Sequence, residues 1–282
     1  MATHNPLKQL GRRLFGVTKR PIWLGIHSLT GARTQATAEY QDFGIYGGYF
    51  EADAGAVAER LPPGFEVIQR RAGITELELW GAQYRRMDIL RPYNEFAVIV
   101  PVRFAQPSKA AVEGGYVLHM PVTSEEARWA GVDNYGFPKI LASIAISERD
   151  GGMSCVVRHR GVHVVTLAVQ ARSLEPIDRP NTLINVRDDE HVIRCEFKLG
   201  GEGGVATAPG GVSLTLGHHA IAEDLRQLGI RADSGRALYM PRLHAQLSRG
   251  VDLGPLSLTP ELAERATARV KAPRSTEPRV HG

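Results

Sequence analysis

The chain has 282 residues, of which 43% are hydrophobic and 23% charged, with a formal net charge of +4; that balance fits a globular protein of one large domain or two modest ones. No apolar run approaches the roughly 20 residues that span a bilayer, and the basic residues are interleaved with acids along the whole chain, which argues against a nucleic-acid-binding face. Two cysteines, Cys155 and Cys195, form no Cys-x-x-Cys pair, which excludes a thiol redox motif and a cysteine-rich zinc site.

Residues 1–35 read as an arm. Leu7, Leu10, Leu14 and Phe15 give the apolar side of a short basic helix, expected to pack on its own body or on a neighbouring subunit. No continuous apolar core follows the N-terminal positive charges, so a secretory signal is not expected and the cytoplasm is the default compartment. A disulfide is then not expected either.

From Tyr40 the pattern turns to strands. Segment 40–50 is aromatic and glycine-bearing. Segment 53–61 predicts a short helix with Asp53 as its cap, stopped by Pro62-Pro63-Gly64. Segments 65–69 and 75–84 alternate apolar and polar residues as half-buried strands do. Segment 95–104 is a strong strand, with Phe96, Val98, Val100 and Val102 in alternation, and 115–122 is another. Thr123-Ser124-Glu125-Glu126 predicts a capping box that opens a helix of one or two turns, with Gly131 placed to end it.

Three consecutive strands are then expected over 140–147, 153–160 and 162–171, with turns at Asp150-Gly151-Gly152 and Gly161. Strands at 182–187 and 192–199 continue the pattern. Segment 200–211 reads as a glycine-rich hairpin loop or lid, 212–216 as a strand and 218–229 as a helix. The tail, 265–282, is basic, proline-containing and expected to be mobile. Many strands of antiparallel style with a few short helices make the fold class α+β and β-dominated, with one domain over 36–264.

Only six of the 34 basic residues are lysines: Lys8, Lys19, Lys109, Lys139, Lys198 and Lys271. Arginine supplies the ordinary surface charge, so a lysine set among Phe137, Pro138, Ile140 and Leu141 stands out. A free lysine, with a pKa near ~10.4, is protonated at neutral pH and cannot attack a carbonyl. Burial among apolar groups penalises the charged form and frees the amine for nucleophilic or base chemistry. The pattern alone equally suits a lysine flanking a strand.

The segment Tyr135-Gly136-Phe137-Pro138-Lys139 resembles the aromatic-Pro-Lys signature of the acetoacetate decarboxylase family, whose lysine forms a Schiff base. Tyr93-Asn94-Glu95, followed by Pro101-Val102-Arg103-Phe104, resembles that family's Tyr-x-Glu strand with its Pro-Val-x-Phe ending. Arg179-Pro180-Asn181 and Leu77-Glu78-Leu79-Trp80 match two further, shorter family segments. The resemblance covers residues 40 to 245. It implies an antiparallel cone- or barrel-like sheet around an apolar cavity, no cofactor, a small keto acid as partner, and a homo-oligomer. It implies Lys139 as imine former with Glu95 as acid/base partner, and Glu78, Asp133, Tyr93 and Tyr135 as substrate-binding residues.

Each role has a plainer reading in the residues themselves. Glu95 is also placed to be a strand-edge carboxylate paired with Arg91, Asp133 to be a turn former, and Glu76 shares the strand face of Glu78. Tyr93 and Tyr135 suit core tyrosines with one satisfied hydroxyl. Two departures from the family pattern bear on substrate: Ile140 stands where the decarboxylase has a second lysine, and Asp42 where it has an arginine. The expected reaction is decarboxylation of a β-keto acid through Lys139. The alternatives are an aldolase-dehydratase or hydrolytic reaction on a larger oxo acid through the same lysine, and non-catalytic binding of an apolar ligand. His159 and His163 flank Gly161 between strands, and His218-His219 are adjacent; neither pair suits a metal, and no nucleotide-binding motif is present.

Overall fold

The computed structural model describes residues 37–105, 110–149, 152–170, 173–176 and 181–256. The expected N-terminal arm, the basic tail and the Arg179-Pro180 part of one matched segment lie outside these residues. No helix of the described residues is long and apolar enough to cross a membrane.

Strands dominate. The first half of the chain gives β1 (Ala38–Asp53), β2 (Phe65–Val67), β3 (Ile74–Met87), β4 (Tyr93–Phe104) and β5 (Val112–Val122). A short helix α1 (Ala54–Ala58) follows β1, and the carboxylate of Asp53 accepts from the Ala56 amide at 2.8 Å, as the sequence predicts. Helix α2 (Glu125–Tyr135) follows β5, and then β6 (Lys139–Leu141), β7 (Ser143–Arg149), β8 (Gly152–His159) and β9 (Val162–Val169). The remaining strands are β10 (Leu174–Glu175), β11 (Asn181–Arg187), β12 (His191–Ala206), β13 (Val212–Leu216), β14 (Arg236–Leu247) and β15 (Val251–Pro255), with helix α3 (Ala220–Gln227) before β14.

Seven strands close a barrel in the order β4-β3-β1-β14-β12-β11-β5, with β5 pairing back to β4. Closure leaves no free edge around the ring. The expected antiparallel sheet holds except at two places: β5 runs parallel to β11 and to β6. A second sheet, β13-β9-β8-β7, is wholly antiparallel. It covers the outside of the barrel, so β3 and β4 are buried on both faces. Phe96, Val98 and Val100, the alternating set visible in the sequence, pack outward with Val157 and Leu167, and the inward set begins with Tyr93 and includes Ala97 and Ile99. Burial on two faces is why β4 reads as a nearly continuous apolar run.

Four expectations need correction. The strand expected over 140–147 is two strands in two sheets: β6 belongs to the barrel sheet and β7 to the second. Gly131 does not end α2, which continues to Tyr135 and is closed by Gly136 in the left-handed region at φ 71°. Segment 200–211 is not a hairpin loop or lid as a whole. Strand β12 runs through it to Ala206, with Gly201 and Gly203 at φ 132° and 127° where the register against β14 shifts. These glycines serve a bulge and close strand approach rather than a loop. Finally, β14 and β15 were not anticipated; Pro241 interrupts the alternation of β14, and β15 carries Gly254 and Pro255.

Candidate active site

The route from α2 to β6 fixes one lysine. Ser124 caps α2 by accepting from the Ala127 amide at 3.2 Å while its hydroxyl donates to Glu126 at 2.8 Å. At the other end a Cβ on Gly136 would collide with the Val186 carbonyl, so both backbone angle and space demand glycine there. Pro138 then sits at the centre of a tight turn in which the Lys139 amide donates to the Phe137 carbonyl at 2.8 Å, and Lys139 opens β6 opposite Met120 of β5. Its stem turns back under α2 against Gly131: a Cβ there would lie 2.5 Å from Lys139 Cδ.

The amine reaches Glu95. Lys139 Nζ donates to Glu95 Oε2 at 2.6 Å, and the side chains are only 7% and 4% exposed. The other carboxylate oxygen of Glu95 accepts from the Tyr84 hydroxyl at 3.3 Å. Aromatic rings enclose the pair: Tyr84 and Tyr93 lie 4.6 Å apart, Tyr135 and Phe137 stack at 5.2 Å, and the ammonium sits 5.8 and 5.9 Å from the rings of Tyr93 and Phe137. Burial, with Glu95 as the nearest charge, pushes the Tyr40, Tyr84 and Tyr93 hydroxyls well above the ordinary tyrosine value. All three therefore stay protonated and able to donate at neutral pH.

Two spaces meet in the barrel. An inner chamber of about 50 Å³ is lined by Lys139, Glu95, Tyr40, Tyr84, Tyr93 and apolar side chains from α2 and β12. An outer chamber of about 450 Å³ is lined by Ile45, Tyr49, Ile68, Glu78, Ile99 and Thr182 among others. Trp80, Leu183 and Phe197 border both. Apart from Lys139, no Lys or Arg lines either space among the described residues.

Of the six residues expected at the site, Lys139, Glu95, Tyr93 and Tyr135 line the inner chamber. The Tyr135 hydroxyl is committed to the Ser248 carbonyl at 3.1 Å. Glu78 lines the outer chamber instead, together with Glu76, which Arg236 holds through two contacts of 3.0 and 2.9 Å. Asp133 lies within α2, not in a loop before the lysine, and borders neither chamber. Glu95 takes Lys139 as its partner rather than Arg91. Asp42 is bound by Arg85 at 2.7 and 3.0 Å, away from both chambers. Arg85 holds its carboxyl below the usual carboxylate range.

Sequence reasoning missed Tyr84, Tyr40, Trp80, Leu183 and Phe197. Tyr84 and Trp80 had a signal, since they continue the period-two face of Glu76 and Glu78 on β3. The others enter from β1, β11 and β12, whose pairing around the barrel is not a local property. Cys155 and Cys195 are both free and buried. No group of three or more His, Cys, Asp or Glu suited to a metal occurs among the described residues.

Comparison with known proteins gives a family and a fold. The family model described as acetoacetate decarboxylase matches residues 46–249. No curated protein matches. Among solved structures, the acetoacetate decarboxylase of Legionella pneumophila superposes with a TM-score of 0.63 at 16% identity, covering 78% of this chain and 88% of that one. An acetoacetate decarboxylase-like enzyme from Sphingomonas wittichii RW1 gives 0.56 at 12% identity, over 78% and 93%. The enduracididine biosynthesis enzyme MppR in complex with pyruvate gives 0.59 at 16% identity, over 79% and 93%.

Proposed function

The chain belongs to the acetoacetate decarboxylase family, and on that premise we propose that it is a Schiff-base lyase that decarboxylates a β-keto acid through Lys139. The observation that carries this reading is the 2.6 Å contact between the buried side chains of Lys139 and Glu95 in a small chamber lined by aromatic residues. Separated charges are costly there. Passing one proton along the contact converts ammonium and carboxylate into amine and carboxylic acid, and the amine is then a nucleophile with its acid catalyst already in place.

Nζ adds to the keto carbon and water leaves, which gives a protonated imine. The bond to the carboxylate carbon breaks, its electron pair moves into the imine, and carbon dioxide departs. Glu95, left as a carboxylate when water departs, takes up a proton from solvent and passes it to the enamine carbon; hydrolysis of the protonated imine then frees the ketone and restores the ammonium–carboxylate pair, so one solvent proton is consumed per turnover. Among the described residues no guanidinium lines this chamber to hold the substrate carboxylate, and Glu95 is a second carboxylate there. The substrate's negative charge is therefore poorly solvated until the carbon–carbon bond breaks and disperses it.

The second reading is an aldolase-dehydratase or hydrolytic reaction on a larger oxo acid through the same imine. The likeness to MppR, which was solved with pyruvate, is consistent with it. The test is incubation with keto acids and borohydride followed by mass spectrometry, comparing the parent with Lys139→Ala. A reduced adduct on the Lys139 peptide, with release of carbon dioxide from the unreduced reaction, is expected. An adduct without carbon dioxide selects the second reading. No adduct with any keto acid leaves a non-catalytic ligand binder.

A further inference from the structure

We propose that the substrate is an extended oxo acid whose chain runs from the lysine past Trp80, Leu183 and Phe197 into the outer chamber, so that these three side chains set chain-length specificity. The proposal rests on the imine chemistry above for the reacting end and on the cavities for the rest.

The inner chamber, at about 50 Å³, is one ninth the size of the outer one. It suits the reacting end of an oxo acid and not an extended chain. The carbons at the reacting centre fill the space beside Lys139 and Glu95, and the remainder must leave it. Residues of α2 with Phe137 and Leu247 line the inner chamber alone, whereas Trp80, Leu183 and Phe197 also line a space nine times larger.

The walls of the outer chamber define the tail. Ile45, Ile68, Trp80, Ile99, Pro101, Leu183 and Phe197 make them mostly apolar, and the polar positions include Glu76, Glu78, Glu113 and Thr182. Among the described residues no Lys or Arg lines this chamber, and the neighbouring Arg236 and Arg103 are already taken up by Glu76 and Glu113, so a phosphate- or carboxylate-bearing tail would find no uncommitted cation among them. The tail is therefore uncharged and predominantly apolar.

The experiment uses the full chain and three probes: acetoacetate, β-ketohexanoate and β-ketodecanoate, each trapped on Lys139 with borohydride. Trapping of β-ketodecanoate is expected to exceed that of acetoacetate by about tenfold or more, since each buried methylene adds favourable transfer energy. Thr182→Phe, which fills the chamber from β11, and Ile68→Trp, which fills it from the segment after β2, should each reduce that ratio toward one. Two fillers on separate elements guard against one of them misfolding. Equal trapping of all three acids, or a long-chain preference that survives both fillers, overturns the proposal. Should no acid be trapped, the imine reading fails, and the chamber is read by ligand-observed NMR of the long-chain methyl ketone that β-ketodecanoate would release. Binding that Thr182→Phe weakens sustains the chamber assignment; binding that is absent or insensitive to it overturns it.

Discussion

Gly131 and Lys139 are a fitted pair: the glycine in the middle of α2 leaves the space through which the lysine stem passes, and a Cβ there would lie 2.5 Å from Lys139 Cδ. The atoms it would displace are the far end of a flexible side chain, so the helix has little reason to resist the change. Alanine in place of glycine raises helix stability by about 0.5–1 kcal/mol in a helix interior. Gly131→Ala is therefore expected to unfold within a few degrees of the parent, with Lys139 still paired to Glu95 but its amine displaced by about 1 Å. A displacement of about 1 Å at a reacting group costs on the order of 10²-fold in rate. Thermal melting and borohydride trapping read the two effects separately, and a variant that traps at the parental rate would show that the lysine needs no such slot.

The buried pair makes a stability prediction of its own. Removing one partner leaves the other desolvated and uncompensated, a loss of about 3–5 kcal/mol for a buried ion pair. Lys139→Ala should therefore lower the urea midpoint substantially. The double variant Lys139→Met with Glu95→Leu replaces the pair by apolar side chains among Tyr93, Phe137 and Met120 and should recover most of that loss, because apolar replacements of buried pairs are often neutral or stabilising. Both variants lose trapping. Equal midpoints for the single and double variants would mean that the pair exerts no electrostatic hold on the fold.

Much of this architecture was legible because it is local. The Asp53 and Ser124 caps, the period-two faces of β3 and β4, and the Phe137-Pro138-Lys139 entry into a strand each depend on residues a few positions apart. What was not legible depends on closure. Phe197 and Leu183 reach the chamber only because β12 and β11 complete the ring between β14 and β5. Gly131 was read as a terminator because a helical glycine usually costs stability, and its reason is a side chain eight positions away. Segment 200–211 looked like a loop because its glycines are dense, whereas they accommodate a bulged strand packed closely against β14. Asp133 was placed in a loop because α2 was expected to stop early.

Tyrosine hydroxyls at the site should separate by partner. Tyr84 donates to Glu95 itself, so Tyr84→Phe removes a hydrogen bond to the group that exchanges a proton with Lys139. The expected result is a shift of the pH–rate profile together with a lower rate, and a stability change of about 1–2 kcal/mol. Tyr135 lines the same chamber but donates to the Ser248 carbonyl. Tyr135→Phe should lose about 1 kcal/mol of stability and leave the pH–rate profile in place. If both variants shifted the profile alike, Tyr84 would have no special connection to the reacting pair.

Outside the barrel, His219 caps α3 and supplies an acid-sensitive point. Its Nδ1 accepts from the Ile221 amide at 3.1 Å, so the ring proton sits on Nε2 and is donated to His159 Nδ1 at 2.9 Å. Burial, then the neighbouring His159 and His119, hold its pKa below the ordinary histidine value. The unfolded chain, with an unperturbed histidine near ~6.5, thus binds the proton more readily than the folded one. The stabilisation is complete above that value and is lost as pH falls through the folded one, when a protonated Nδ1 can no longer accept. Asp224, on the same helix and paired with His119 and Arg60, has a lowered pKa as well. The sign is the same, but its decline sets in only below the ordinary aspartate range near ~3.9. His219→Asn keeps a side-chain oxygen for the cap and removes the titrating ring. Urea midpoints measured from pH 7.5 to 3 should then lose the upper part of the decline and keep the lower part; an unchanged upper decline would assign it to groups other than His219.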